Sequence, residues 1–554
     1  MKNSDLGIAI FCFLFLSCSK SKETVSSTPP VLTVSVTSVF LNTVSLNNTV
    51  YGAAILPSIK VQLSQPVKQN TAAGAISLRD ANGITEAITT IFQNHDSTLL
   101  IQPSTPLKYL SKYNLKITST LQSATGGSLT MAVDKNFITQ IDSANKFPVL
   151  TDSLLLDRIQ QQTLKYFTDF GHPVSGLARE RNSSGDVVTT GGSGFGIMAI
   201  VAGINRNFIT KSQGFAQVQK MVGFLKNTAQ KVHGAFPHWL NGATGAIVPF
   251  SDKDNGADLV ETAYLMQGLL TARQYFNGAG AEETTLRNDI NILWNNVEWD
   301  WFRQGNQNVL YWHYSENNLW IINQKIQGWN ETLVTYVLAA SSATHSIPPI
   351  VYSSGWAGAS GFVNGNTYFG YQLPLGPDKG GPLFFSHYSF LGINPNGLSD
   401  AYANYTIQTK NHTLINYNYC VTNPQNNYGY SSSCWGLTAS DIEGGYTASS
   451  PTNDVSVIAP TAAISSLPYT PVESMQALKF FYYTLGDKLW GGYGFYDAFS
   501  LKNTWFANST LAIDQGPIIV MIENYRTGLL WKLFTSCPEV KAGMLSLGFK
   551  AAYL

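Results

Sequence analysis

The 554-residue sequence predicts a mainly α-helical protein, an (α/α)6 toroid over residues 150–554 preceded by a small all-β sandwich over residues 31–141. Three observations carry this prediction. Residues 31–141 alternate apolar and polar positions in short β-branched runs, the period of two that marks half-buried strands. From residue 152 onward the apolar period changes to 3.6. Long connections rich in Gly, Asn and aromatic residues then separate the helical stretches, as the end loops of a closed helical barrel would.

The strands come first. Leu32-Thr33-Val34-Ser35-Val36, Ile59-Lys60-Val61-Gln62-Leu63, Thr98-Leu99-Leu100-Ile101 and Tyr113-Asn114-Leu115-Lys116-Ile117 have strand character, and turn chemistry at Asp80-Ala81-Asn82-Gly83 and Gly126-Gly127 separates them. Helical periodicity then places helices near 152–170, 194–205, 214–231, 257–276, 282–296, 331–344, 400–415, 455–465, 471–485, 515–534 and 538–547, with a short one near 382–392. That is one inner and one outer helix for each of six pairs. About 400 residues is long for one core, but closed helical barrels reach that size.

The N-terminus has the form of a bacterial export signal: Lys2, an apolar run from Ile8 to Leu16, then Leu16-Ser17-Cys18. The last three residues resemble a lipobox, which implies cleavage after Ser17, acylation of Cys18 and a lipid-anchored protein of the bacterial cell envelope. Residues 18–30 then form a polar tether. The apolar run is shorter than the ~20 residues a spanning helix needs, so the lipid is the expected membrane contact. Whether the anchored protein faces the periplasm or the exterior is left open.

Charged residues make up 12% of the chain and the formal net charge is zero. With no basic stripe, nucleic acid is not an expected partner. Polarity comes instead from amides, hydroxyls and rings, which suits neutral hydroxylated ligands. The eight histidines and five cysteines show no metal-ligand spacing, so no metal or cofactor is expected, and a monomer is. Cys420 and Cys434 are either a disulfide or two buried thiols.

Candidate chemistry lies in the acids. The stretch Ala257-Asp258-Leu259-Val260-Glu261-Thr262-Ala263 is apolar on all sides of the helical wheel, yet places Asp258 and Glu261 three residues apart on one face. An N-terminal cap and a cleft wall both explain such a pair. Glu331 opens an apolar run after Gly328-Trp329-Asn330, and Asp514 stands as a capping acid before Gln515-Gly516-Pro517. Glu523 is expected to pair with Arg526 at i, i+3. Hydrolysis of a glycosidic bond needs one carboxylic acid and one carboxylate; a Gly-x-Ser-x-Gly elbow and a phosphate-cradling loop are both missing from the sequence. Trp239, Trp301, Trp312, Trp320, Trp329, Trp356 and Trp435 fall in or beside the long loops, where ring faces could bind sugar rings.

Five motifs occur in order: Gly191-Gly192-Ser193-Gly194-Phe195-Gly196, Gly256 to Ala263, Gly328-Trp329-Asn330-Glu331, Phe384 to Gly392 and Asp514-Gln515-Gly516-Pro517. Together they resemble glycoside hydrolase family 144, once described as glucoamylase-like, from about Asp152 to the C-terminus. The strand region resembles bacterial immunoglobulin-like domains. The family resemblance implies an (α/α)6 barrel and inverting, mostly endo-acting cleavage of β-1,2-glucan to sophorose and short oligomers. It also implies that Asp258, Glu261, Glu331 and Asp514 are the essential acids. Glu331 is the expected general acid and Asp514 the general base; Trp239, Trp329, Trp356, His387, Tyr388 and Trp435 are the expected substrate contacts. Exo attack, another β-glucan on the same fold, and a non-catalytic glycan-binding lipoprotein are the alternatives. The immunoglobulin-like region carries no candidate site.

Overall fold

The computed structural model describes residues 30–554. The export signal and Cys18 lie outside the described residues. The chain divides into two compact units, one ending at Gln140 and one beginning at Ile141.

The first unit is a two-sheet β-sandwich. Its strands are β1 (Val36–Leu41), β2 (Val44–Ser45), β3 (Val50–Ala53), β4 (Ile59–Leu63), β5 (Ile76–Asp80), β6 (Thr85–Glu86), β7 (Ile88–Gln93), β8 (Thr98–Pro103), β9 (Lys112–Ile117) and β10 (Val133–Thr139). One sheet has the order β2-β1-β4-β8-β7 and the other β3-β10-β9-β5-β6. Alternation decides which face is inside. In β4, Ile59, Val61 and Leu63 are buried while Lys60 and Gln62 are not, and in β9 Tyr113, Leu115 and Ile117 point inward. These side chains meet Leu78, Leu99, Ile101 and Phe137 in one core. A seven-residue helix, α1 (Gln69–Ala75), leads into β5.

The second unit is helical: α2 (Asp152–Thr168), α3 (Thr190–Asn205), α4 (Lys211–Asn227), α5 (Leu259–Tyr275), α6 (Ala281–Asn295), α7 (Leu333–Ser341), α8 (Tyr405–Thr422), α9 (Pro460–Ile464), α10 (Pro471–Lys479), α11 (Gly486–Leu489), α12 (Ala512–Thr527), α13 (Leu529–Thr535) and α14 (Pro538–Ser546). Among the described residues, no helix is long and apolar enough to cross a membrane.

The inner wall closes on itself. Helix α3 packs on α5, α5 on α7, α9 on α12, and α12 back on α3. The gap between α7 and α9 is filled by two 3-10 turns, Leu383–Ser386 and Ser389–Leu391. Ser389 Oγ accepts from Val334 N of α7, and Tyr469 donates from beyond α9 to Ser386 O. The short helix expected at 382–392 is therefore two 3-10 turns. Helices α3, α5 and α12 are buried on nearly every side, which is why their sequences show apolar residues all round the wheel. The α3–α5 contact is backbone to backbone: a Cβ on Gly194 would lie 2.2 Å from Tyr264 O, and one on Gly268 2.2 Å from Gly194 O.

Two further expectations are corrected. The helix expected at 515–534 is two helices, because Gly528 takes a left-handed φ of 68° between α12 and α13. Glu523 and Arg526 do not pair with each other. Helix α12 lies between α2 and α3, so Glu523 meets Arg206 at 2.7 Å while Arg526 meets Asp157 at 2.5 Å. Of the two alternatives for Cys420 and Cys434, the structure has the second, buried free thiols.

Candidate active site

The N-terminal ends of α3, α5, α7 and α12 converge on a cavity of about 500 Å3. Asp258, Glu261 and Glu331 line it, with His238, Trp239, Trp312, Tyr388 and Tyr446 among the other side chains. Helix N-termini present unpaired N–H groups and a partial positive charge, so acids gathered there are partly compensated.

Asp258 is both cap and wall, through different oxygens. Oδ1 accepts from Val260 N at 3.0 Å and Glu261 N at 2.9 Å, capping α5. Oδ2 meets His238 Nδ1 at 3.1 Å and His313 Nε2 at 3.7 Å. Burial alone would raise its pKa; the His238 hydrogen bond and the two imidazoles outweigh this and hold it below the usual carboxylate range. Asp258 is thus the ionised member of the cluster. Glu261 is one turn along. Its Oε2 accepts from Gly191 N at 2.7 Å, an approach that only glycine allows, since a Cβ there would lie 2.6 Å from that oxygen. Burial and the neighbouring Asp258 push the Glu261 pKa up. His238 lies between them, with Nε2 3.9 Å from Glu261 Oε1. Burial pulls the His238 pKa down, but Glu261, Asp258 and Asp254 together push it up to about 9.

Glu331 stands just before α7 rather than in its first turn. Asn330 Oδ1 accepts from Thr332 N at 3.0 Å and from its hydroxyl at 2.7 Å, and this turn delays the helix to Leu333. Burial, with smaller contributions from Asp258 and Glu261, raises the Glu331 pKa to about 7. A carboxyl poised there can hold a proton at neutral pH and release it.

Asp514 is not a cap. Helix α12 begins at Ala512, whose N–H donates to Glu180 O, so Asp514 falls in the first turn and Pro517 within the helix. It is 3% exposed. Burial and the neighbouring Asp497 raise its pKa well above the carboxylate range. Beside it, Arg181 Nη1 bonds both oxygens of Asp441 at 3.1 and 3.2 Å, and Asp441 N donates to Asp497 Oδ2 at 2.6 Å.

The aromatic expectations divide. Trp239 and Tyr388 line the cavity, as do Trp312, Phe250 and Tyr446. Trp329, Trp356, Trp435 and His387 do not. Trp356 and Trp435 are fully buried; Trp356 packs on Tyr336, and Trp435 donates its N–H to Glu473 O at 3.2 Å. Trp329 packs against Trp356, Phe390 and Tyr405, and so holds in place the turn that carries Glu331. His387 hydrogen-bonds Ser466 at 3.0 Å, and burial together with nearby His412 lowers its pKa to about 3, a neutral core histidine. Periodicity cannot separate a loop tryptophan that folds inward from one that faces a cleft.

His238, His313, Asp254, Arg181, Asp441 and Asp497 were not legible as site residues. They come from loops and short strands, with no spacing that links them to the helix ends. The sharpest available signal was Asp254, four residues before Asp258. The donor atoms of His238, Asp254 and Asp258 lie within 4.8 Å of one another, close enough to share a cation.

Comparisons with known proteins match both units. Residues 323–538 match a family described as "Putative glucoamylase", and residues 26–139 match the bacterial Ig-like domain. An exo β-1,2-glucooligosaccharide sophorohydrolase of Parabacteroides distasonis is 46% identical over 435 residues, 74% of this chain and 60% of that protein. The chain thus spans about 60% of the length of the curated relative it matches. An endo-β-1,2-glucanase of Chitinophaga pinensis, solved with sophorotriose and glucose, is 49% identical; the match covers 73% of this chain and all of that one, with a TM-score of 0.72. A β-1,2-glucanase structure from Parabacteroides distasonis is 38% identical over 94% of this chain and 74% of its own, with a TM-score of 0.71. With nearly half the residues identical across the full length of a solved relative, the chain belongs to glycoside hydrolase family 144.

Proposed function

We propose that this chain hydrolyses β-1,2-glucan with inversion, Glu331 acting as general acid and Asp514 as general base. The observation that carries the reading is the unequal titration of acids around one cavity: Asp258 is kept ionised while the Glu331 pKa is lifted to about 7. In this reading Glu331 donates its proton to the glycosidic oxygen as the C1–O bond breaks. A water attacks C1 from the opposite face and its proton passes to Asp514, which accepts it only when ionised; because burial and Asp497 raise the Asp514 pKa, this step gains as pH rises. Asp258, Glu261 and His238 form the charged floor, and Trp239, Trp312 and Tyr388 supply ring faces for the sugar.

Attack is endo in this proposal, releasing sophorose and short oligomers. The second reading is exo attack, favoured by the 46% identical relative that carries that name. Linear β-1,2-glucan separates the two. Endo cleavage lowers viscosity sharply while few reducing ends have formed; exo cleavage releases one disaccharide with viscosity nearly preserved. Retention of the glucan after prolonged incubation would refute both. NMR of the first product decides inversion: an α-anomer is expected from a β-linked substrate, and a β-anomer rejects the acid–base roles. Acylation of Cys18 is a further part of the proposal, resting on Leu16-Ser17-Cys18. Metabolic labelling with a fatty acid should mark the wild type and not Cys18→Ala.

A further inference from the structure

Two of the loop tryptophans, Trp301 and Trp320, lie outside the cavity lining and form a patch of their own. Trp301 is 39% exposed, and Leu319 and Ile321, which flank Trp320, are 58% and 54% exposed. The Trp301 ring centroid lies 5.8 Å from that of Tyr314 and 6.4 Å from that of Trp320, and Tyr314 is 4.7 Å from Trp320. Behind Trp301, His233 stacks at 3.9 Å between centroids with the planes at 17°. That imidazole is itself fixed: Nδ1 donates to Glu298 Oε2 at 2.7 Å, and Glu298 N donates to His233 O at 3.0 Å. His233 and Gly234 are the central residues of a turn closed by Val232 N to Ala235 O and Ala235 N to Val232 O, with φ of 52° and 72°. A left-handed histidine is unfavourable and persists only where its surroundings hold it. Here a Cβ on Gly234 would lie 1.8 Å from Asn296 O, so the turn is pressed against the segment that carries Glu298. Trp301 is thus backed by a rigid stack while part of its ring stays open to solvent.

The patch is continuous with the cavity. Trp312 lines the cavity and Tyr314 belongs to the patch; two residues apart, their Cα atoms are separated by about 7 Å at most. The strand His313–Tyr314 pairs with Ala257–Asp258, His313 opposite Asp258 and Tyr314 opposite Ala257. A Cβ on Gly256 would lie 2.2 Å from Tyr314 O, so this edge is packed directly onto the segment that carries the acids.

We propose that Trp301, with Tyr314 and Trp320, is a second carbohydrate site, a platform for sugar rings of a glucan chain that extends beyond the cavity. This rests on the glucan-hydrolase reading. Continuity and chemistry together select the occupant. A glucan chain leaving the cavity past Trp312 meets Tyr314 and then Trp301, and the C–H faces of its rings suit flat aromatic faces. The exposed side chains of the patch, Trp301, Leu319 and Ile321, carry no charge, which suits a neutral chain. Because the His233 stack already holds the Trp301 ring, binding there orders little that was free.

Equilibrium binding to the full chain carrying Glu331→Gln, which should leave the ligand uncut, tests the platform. Long linear β-1,2-glucan can engage cavity and platform together, whereas sophorose is short enough to occupy the cavity alone. Adding Trp301→Ala should weaken binding of the polymer roughly three- to tenfold and leave the sophorose Kd within about twofold. Trp301→Phe should recover most of the polymer affinity. His233→Asn, which suits the left-handed turn but removes the stack, should give a smaller loss in the same direction. Melting curves check that each variant is folded. Unchanged polymer affinity in folded Trp301→Ala overturns the proposal. Equal weakening of both ligands overturns it as well, since the ring would then only support the cavity loop. A dimer in gel filtration that Trp301→Ala converts to a monomer would assign the patch to a second copy of the chain instead. If the parent binds neither ligand, the glucan reading itself has failed and the platform with it; where the parent binds both, a failure belongs to the platform alone.

Discussion

Replacing Glu331 by Gln should abolish hydrolysis and at the same time stabilise the protein at neutral pH, a combination that separates a proton donor from a structural acid. The carboxyl is lifted from an ordinary 4.5 to about 7. At about 1.4 kcal/mol per pH unit, that interval is worth about 3 kcal/mol. The sign follows from linkage. Between 4.5 and 7 the folded state holds the proton while the unfolded state has released it, so stability contributed by this group falls as pH rises through that window. Glutamine has no proton to lose, and the variant escapes the fall. Solvent entering from the cavity screens part of the effect, so a gain of about 2–3 kcal/mol above pH 7.5 is expected, shrinking towards zero below pH 4.5. Glu261, Asp254 and Asp514 also have raised pKa values, so the quantity to plot is variant minus wild type, from denaturant unfolding at several pH values. Turnover of β-1,2-glucan should fall by about 10²–10⁴-fold. A flat difference curve would show that Glu331 is not held protonated, and turnover within tenfold of wild type would remove it as general acid.

His238→Gln removes a cation with a pKa of about 9 from between Asp258 and Glu261. Its stabilising contribution is fully present below pH 6.5 and disappears as pH rises through 9, so the melting difference from wild type should be largest near pH 6 and close to zero at pH 10. Trp239→Ala, on the cavity wall, should raise KM by roughly tenfold or more; Trp435→Phe, in the core, should lower the melting temperature and leave KM unchanged, and the opposite pattern would reverse their placement. Gly194→Ala forces a Cβ onto the backbone of α5 and should destabilise the second unit by about 1–3 kcal/mol; a melting temperature equal to wild type would mean that α3 and α5 can separate freely.

Much of the fold was legible because burial leaves a periodic trace. Alternation in β4 and β9 follows from one face of each strand entering a core, and the all-round apolar character of α3, α5 and α12 follows from enclosure between neighbours. The apolar helix with Asp258 and Glu261 was readable for the same reason: ionisable groups stand out where everything else avoids water. Its two competing explanations were both right, since Asp258 caps with one oxygen and faces the cavity with the other.

The sequence by itself determined the two units, the helical class of the second, and four acids near helix starts. Only the tertiary structure decided which side chains surround them, and that Asp258, Glu261 and Glu331 line one cavity. Asp441 reaches Asp497, and His238 reaches Asp258, through contacts between segments distant in the chain. Protonation was likewise undecided before folding. Asp258 and Glu331 are ordinary carboxylic acids in an extended chain; helix caps, imidazoles and the loss of water push one down and the other up, and those fields exist only once the ring has closed.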